Sequence, residues 1–136
     1  MFVVADTSVY VSALVFGGIP QTALKQAMRR PYRLAASQDI KLELSQTLGG
    51  KFDWPADRIA YAVEQLWREA LWCEPVTVQA SRDPNDDHIL GCALAAAAQA
   101  LISGDKDLLA LHPFRGILIV TPAQFLASVS DRGVHN

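Results

Sequence analysis

Short apolar runs alternate with helical patterns along this chain. Five runs have the length and composition of buried strands, at residues 2–5, 32–36, 72–78, 100–102 and 117–120. Between them, apolar residues recur every three or four positions, the spacing of a helix packed on one side. This pattern predicts helices at residues 9–14, 20–30, 38–48, 56–71, 84–100 and 122–126, with a helical turn at 108–111.

The alternation of strands with helices predicts an α/β protein. Strands separated by helices pair in parallel, through right-handed crossovers that place helices on both faces of the sheet. We therefore expect a three-layer α/β/α sandwich with four or five parallel strands. At 136 residues the chain has the size of a single domain, residues 1–136, with room for a substantial core.

The composition is that of an ordinary globular protein. Hydrophobic residues make up 51% of the chain and the formal net charge is −2, so bulk charge does not favour nucleic-acid binding. A nucleic-acid partner would need local basic residues or a bound metal ion. Cys73 and Cys92 show no CxxC spacing and no secretory segment is evident, which predicts reduced thiols in a cytoplasmic protein. The apolar run at the N-terminus is too short for a membrane span.

Asp6 and Asp105 lie within three positions after the first and fourth predicted strands. Asp6 ends the first strand and precedes two hydroxyl residues, and Asp105 follows the fourth strand after Ser103. The carboxyl ends of parallel strands border the crevice where ligands bind in open α/β sheets, so both acids are expected there. For the first stretch alone, an equally good interpretation is that Asp6 or Ser8 caps the following helix.

Further acids lie on predicted helices. Glu43 is in the middle of one, where a glutamate alone is weak evidence because it is a good helix former. A helix start at Asp83, followed by proline, places Asp86 and Asp87 in the first turn and a half. Three aspartates in five residues exceed what the capping of a helix requires.

Carboxylates gathered in one crevice would repel each other unless a cation lay between them. Oxygen ligands favour Mg²⁺ or Mn²⁺ over Zn²⁺, and the chain has no Cys/His spacing typical of zinc. Such ions activate water and stabilise the leaving oxygen in phosphodiester cleavage. The chain has no GxSxG, Walker or GxGxxG motif, which would indicate other chemistry.

The acid-bearing segments, taken in order, are VVADTSVYVSAL, SQDIKLELSQTL, RDPNDDHILGCAL and LISGDKDLL, followed by GILIVTPAQFL. Together they span nearly the whole chain, and the ordered set resembles a PIN-domain nuclease. The resemblance is to the single-domain prokaryotic kind, which is often the toxin of a toxin–antitoxin pair. It implies Mg²⁺- or Mn²⁺-dependent cleavage of single-stranded or structured RNA.

The same resemblance assigns roles to particular residues. The metal-binding catalytic acids that it implies are Asp6, Glu43, Asp87 and Asp105. The small polar residues that orient these carboxylates or a metal-bound water are Ser8 and Ser103. Asp86 is an alternative to Asp87, because sequence does not determine the phase of the helix. Asp107 either assists Asp105 or caps the following turn.

Partners also follow from the resemblance rather than from the residues. It implies a cognate antitoxin lying over the acidic groove, and a homodimer. The apolar helix at residues 59–71 could supply the dimer interface, although core packing explains its pattern equally well. Two other hypotheses remain: a PIN-like module that binds RNA or protein without cleavage, and a metal-dependent phosphohydrolase for a small molecule, which a closed pocket would favour.

Overall fold

A computed structural model describes residues 1–80 and 83–135, and in that part of the chain five strands form one parallel sheet. The strands are β1 (Phe2–Ala5), β2 (Arg33–Ala36), β3 (Leu71–Trp72), β4 (Ala100–Ile102) and β5 (Leu118–Val120). Their order across the sheet is β3-β2-β1-β4-β5. Val3 of β1 pairs with Leu34 of β2 on one side and with Ala100 of β4 on the other.

Seven helices in the described residues complete a three-layer α/β/α sandwich, as predicted. They are α1 (Thr7–Val15), α2 (Gly18–Ala27), α3 (Gln38–Lys51), α4 (Ala56–Leu66), α5 (Pro84–Ala95), α6 (Lys106–Leu109) and α7 (Pro122–His135). α1 packs against α2 and α3, α2 against α7, and α3 against α4, which forms one helical layer. α5 packs on β1, β2 and β4 from the other face. None of these helices is both long and apolar enough to cross a membrane.

The connections create a crevice between β1 and β4. From β1 the chain moves outward to β2 and β3, whereas from β4 it moves in the opposite direction to β5. Ligands bind at such a reversal in open α/β sheets, because the segments after the two strands turn away to opposite faces. The backbone N–H of Asp6 donates to the carbonyl of Ile102 at 3.1 Å, so the paired strands continue to the edge of this crevice.

The central strands are buried on both faces, which explains their uninterrupted apolar sequences. The residues without exposed surface are Val3, Val4 and Ala5 of β1 and Leu101 and Ile102 of β4. Residues at the ends of these two strands are therefore held on the most rigid part of the fold.

The strand predicted at residues 72–78 is wrong in extent, since β3 contains only Leu71 and Trp72. The Cys73 N–H still donates to the carbonyl of Ala36 at 2.9 Å. Pro75 then follows, which has no N–H to donate, and the pairing stops.

Three helices end earlier than predicted. α2 ends at Ala27 rather than at residue 30, since the Arg29 N–H donates to the carbonyl three residues back instead of four. α4 ends at Leu66 because Trp67 leaves the helical conformation and, buried, donates its indole N–H to the Tyr10 hydroxyl at 3.0 Å. α5 ends at residue 95 rather than 100. There Ala97 adopts a positive φ of 50°, and the Ala98 N–H donates back to the carbonyl of residue 93 at 2.9 Å.

Two other helices run further than predicted. α3 continues through the Gly-Gly pair to Lys51, because glycine weakens a helix without removing its hydrogen bonds. α7 does not end at Leu126, because the apolar stripe continues from the buried Phe125 to Val129, which packs on the core.

α5 lies close to the segment that follows β3. The Val76 N–H donates to the carbonyl of Gly91 at 3.1 Å. A Cβ added to Gly91 would overlap the Val76 carbonyl oxygen and lie 3.2 Å from the Cβ of Pro75. Glycine therefore permits a contact between two backbones here, and this contact sets the depth of α5.

We predict that Gly91→Ala destabilises the fold by about 3 kcal/mol, because the added methyl group meets backbone that cannot give way. Gly50→Ala is the matched control. Gly50 is also helical, has nothing within 4 Å of an added Cβ, and should gain about 0.5–1 kcal/mol. Urea unfolding of the two variants checks this, and equal midpoints would contradict it.

Candidate active site

Asp6 lies at the junction of β1 and α1, with only 4% of its surface exposed. It is the N-cap of α1, and its Oδ1 accepts the Val9 N–H at 3.0 Å and the Ser8 hydroxyl at 2.9 Å. Its Oδ2 accepts the hydroxyl of Ser103, which follows β4. The capping interpretation is thus confirmed, and the cap also faces the crevice at the end of β1.

Burial raises the pKa of the Asp6 carboxyl above its ordinary value of 3.8. The hydrogen bonds from Ser103, Val9 and Ser8 act in the opposite direction, and the negative charge of Asp105 raises the pKa further. The ionised form of Asp6 is therefore held at a free-energy cost, which a nearby cation would reduce.

Ser103 links the acids of the two strand ends. While its hydroxyl donates to Asp6, its Oγ accepts the N–H of Asp105 at 3.0 Å. Oδ1 of Asp105 caps α6 by accepting the N–H groups of Asp107 at 2.7 Å and Leu108 at 3.2 Å. The expectation that Asp107 caps this turn is therefore wrong, because Asp105 occupies the position preceding the helix.

Glu43 faces the crevice from the middle of α3. Its Oε2 accepts the Thr7 hydroxyl at 3.0 Å, and its Oε1 contacts Nε2 of His88. The side chain of His88 is 18% exposed and that of Glu43 is 39% exposed, so a partly buried pair joins α3 to α5. Residues 43 and 88 are far apart in the chain, and no local pattern predicts this contact.

The two aspartates of α5 serve different faces of the helix. Oδ1 of Asp87 accepts the Ala80 N–H at 3.1 Å, and one turn later the carbonyl of Gly91 binds the same segment. Asp86 instead lies along the crevice with Ile89, three residues on. The structure thus places Asp86, the alternative, beside the other predicted acids, and turns Asp87 toward the segment after β3.

A cleft of about 470 Å³, here called the acidic cleft, lies at the carboxyl edge of the sheet, and Asp87, His88 and Ser103 do not line it. Its acidic residues are Asp6, Glu43, Asp83, Asp86 and Asp105. Ser8, which is exposed, and Thr7 also line it, whereas Asp107 does not. Asp83 was expected only as a helix cap, and the run of three aspartates was the signal that could have placed it here.

Among the described residues, the side chains of the acidic cleft do not form a complete set of ligands for one metal ion. Within residues 1–80 and 83–135, no three Asp, Glu, His or Cys side chains are arranged to hold one metal ion together. Three of the four acids predicted to converge, Asp6, Glu43 and Asp105, line the cleft, and the fourth, Asp87, does not. The donor set of the cleft consists of carboxylate and hydroxyl oxygens, which fits hard cations such as Mg²⁺ or Mn²⁺.

A larger cavity, of about 1040 Å³, lies at the opposite edge of the sheet. It is bordered by Met1, Arg33 and Arg68, and by none of the predicted acids. Size alone therefore does not identify the candidate active site.

The sequence profile of the PIN domain matches residues 2–107, from β1 into α6. The chain belongs to the PIN-domain family. No curated protein matches the chain. PIN domains are generally nucleases and typically use divalent metals, and the matched segment contains every acid of the acidic cleft.

We predict that Asp6→Asn stabilises this PIN domain at pH 7 in buffer free of divalent metal. Asparagine keeps the helix cap and removes a charge whose burial is unfavourable. Because the folded-state pKa of Asp6 is raised, the unfavourable contribution of its ionisation to wild-type stability shrinks as the pH falls toward the unfolded value of 3.8. The difference in melting temperature between Asp6→Asn and the wild type should therefore decrease as the pH approaches about 4. A less stable variant at pH 7 would contradict the prediction.

Proposed function

We propose that this PIN domain is a metal-dependent endoribonuclease that hydrolyses phosphodiester bonds of RNA in the acidic cleft. The observation that carries the proposal is the buried Asp6 carboxylate at the β1–β4 crevice, joined through Ser103 to Asp105 and facing Glu43. A helix cap alone does not require a second and a third acid in the same cleft.

The residues that would hold Mg²⁺ or Mn²⁺ are Asp6, Glu43, Asp86 and Asp105. We infer Asp86 rather than Asp87 for the third acid, because the Asp87 carboxylate accepts the Ala80 N–H while Asp86 borders the cleft. A divalent ion supplies an activated water and charge neutralisation at the phosphate. The raised pKa of Asp6 supports this assignment, since a cation offsets the cost of its burial.

Hydroxyl groups orient the carboxylates in this proposal. Ser8 and Ser103 each donate to a different oxygen of Asp6, so both oxygens are fixed in direction. The Thr7 hydroxyl donates to Oε2 of Glu43, and Nε2 of His88 contacts Oε1, so both oxygens of Glu43 are held as well. Such second contacts keep acidic ligands from rotating and maintain their charge.

The shape of the cleft favours a polymeric substrate. Exposed residues from three separate elements, Ser8, Lys51 and Asp83, border it, so it is an open groove rather than a closed pocket. This supports an endonuclease over a phosphohydrolase for a small molecule. A module that only binds RNA would have no need of a carboxylate buried at a cost to stability.

The proposed toxin role and cognate antitoxin rest on the family resemblance. A neighbouring open reading frame whose small product binds this chain would support both. For a homodimer the structure offers α4, which contains no fully buried residue and exposes 67% of Tyr61. Sedimentation of the purified chain would test that arrangement.

We predict that the wild type cleaves mixed RNA with Mg²⁺ or Mn²⁺, that EDTA stops cleavage, and that Asp6→Asn lowers the rate on the order of 100-fold or more. Asp57→Asn is the matched control, because Asp57 is an exposed acid in the first turn of α4, outside the acidic cleft. Calorimetry of Mn²⁺ binding provides a second measurement. RNA left intact by the wild type, together with absent metal binding, would overturn the proposal.

The neighbouring aspartates of α5 provide a sharper comparison. We predict that Asp86→Asn weakens Mn²⁺ binding and cleavage roughly tenfold or more, whereas Asp87→Asn leaves both within about threefold. The asparagine at position 87 can still accept the Ala80 N–H through its amide oxygen. The reverse order of effects would assign the third ligand to Asp87.

A further inference from the structure

Two aromatic rings stand at the mouth of the acidic cleft. Phe16 and Phe52 form an edge-to-face pair with ring centroids 6.0 Å apart and an angle of 82° between the planes. Both line the cleft that contains Asp6 and Glu43. Phe16 is 75% exposed, so most of this ring is not used by the core.

The backbone presents both rings in the same way. Phe16 is the C-cap of α1 and Phe52 is the C-cap of α3. Each is followed by a residue with positive φ, Gly17 at 75° and Asp53 at 56°, where the chain turns sharply away from the helix axis. Two separate helices thus end beside the cleft, each with an aromatic residue at its end.

Charge around the pair favours a ring over a phosphate as the bound group. Helix C-termini carry partial negative charge, which repels anions and leaves a neutral aromatic ligand unaffected. Lys51, in the last turn of α3, has its Nζ 5.8 Å from the centroid of Phe52. Among the described residues that line the cleft it is the one cation, placed where a phosphate next to a stacked base could reach it.

We propose that the exposed ring of Phe16, held by its edge-to-face contact with Phe52, is a stacking platform for one unpaired nucleobase of a single-stranded RNA, and that Lys51 contacts a phosphate beside that base. This inference rests on the proposed function for its choice of polymer. Stacking on aromatic side chains tolerates any base but requires a free base face, which a base inside a duplex lacks. The platform therefore selects single-stranded RNA without selecting its sequence.

The test measures binding apart from cleavage. Asp6→Asn serves as the background, and fluorescence anisotropy follows a labelled single-stranded oligoribonucleotide in Mg²⁺. Adding Phe16→Ala or Phe52→Ala should raise Kd on the order of five- to 100-fold. Trp72→Ala is the matched control, because Trp72 is an exposed aromatic residue of β3 outside the acidic cleft and should leave Kd unchanged. Melting temperatures verify that each variant is folded.

Different side chains at position 16 distinguish base stacking from a contact that needs only apolar volume. Phe16→Trp should keep the affinity, whereas Phe16→Leu, which retains apolar volume, should lose it as Phe16→Ala does. An oligonucleotide made of abasic sites offers no base to stack. It should therefore bind the Asp6→Asn protein with the same Kd whether position 16 is phenylalanine or alanine. Affinity that is the same for phenylalanine, leucine and alanine at position 16 would overturn the platform.

Lys51→Met should reduce the slope of log Kd against log salt by about 0.7, the change expected for one phosphate contact on a single strand. An unchanged slope would remove Lys51 from the proposal. If the wild type cleaves RNA, and the phenylalanine substitutions change neither binding in the Asp6→Asn background nor cleavage in an otherwise wild-type chain, the platform fails and the nuclease stands. If RNA binding depends on the rings but the wild type never cuts RNA, the nuclease fails and the platform stands.

Discussion

The rest of the site depends on the hydrogen bonds that hold the buried carboxylate of Asp6. It occupies the edge between β1 and β4, where the backbone is fixed by parallel pairing and the side chain is almost removed from water. Three hydrogen-bond donors hold its two oxygens, one of them from a residue 97 positions later in the chain. These donors reduce the unfavourable desolvation without cancelling it, because the pKa of the group remains raised. The site is thus built at the expense of local stability, a usual property of functional sites.

Charge is separated along the sheet in a way that the net charge of −2 conceals. Acidic side chains gather at the carboxyl edge, in the cleft around Asp6. The large cavity at the other edge is bordered by three arginines and one acid, namely Arg30, Arg33, Arg68 and Glu69. The field at the cleft itself therefore repels a polyanion, and the RNA substrate proposed above would need a bound cation and local contacts such as Lys51 to supply the attraction.

The position of α5 decides which aspartate faces the cleft. Asp87 and Gly91, one turn apart, both bind the segment after β3, and the lack of a Cβ at Gly91 lets the two backbones touch. This contact fixes the rotation of the helix about its own axis, so that Asp86 and Ile89 turn toward the cleft. Packing on one face of α5 thereby decides which of its aspartates lines the acidic cleft.

The sequence alone determined the parallel α/β class and the placement of Asp6 and Asp105 at strand ends. Both depend on local signals: apolar runs of strand length, and an acid within three residues after the first run and the fourth. Tertiary structure decided the phase of α5, the contact of His88 with Glu43, the Asp105 cap, and the ends of β3, α3, α4, α5 and α7. These features depend on partners distant in the chain, such as Gly91 against Val76 and Trp67 against Tyr10. Spacing along one segment carries no information about which distant residue its side chains will meet.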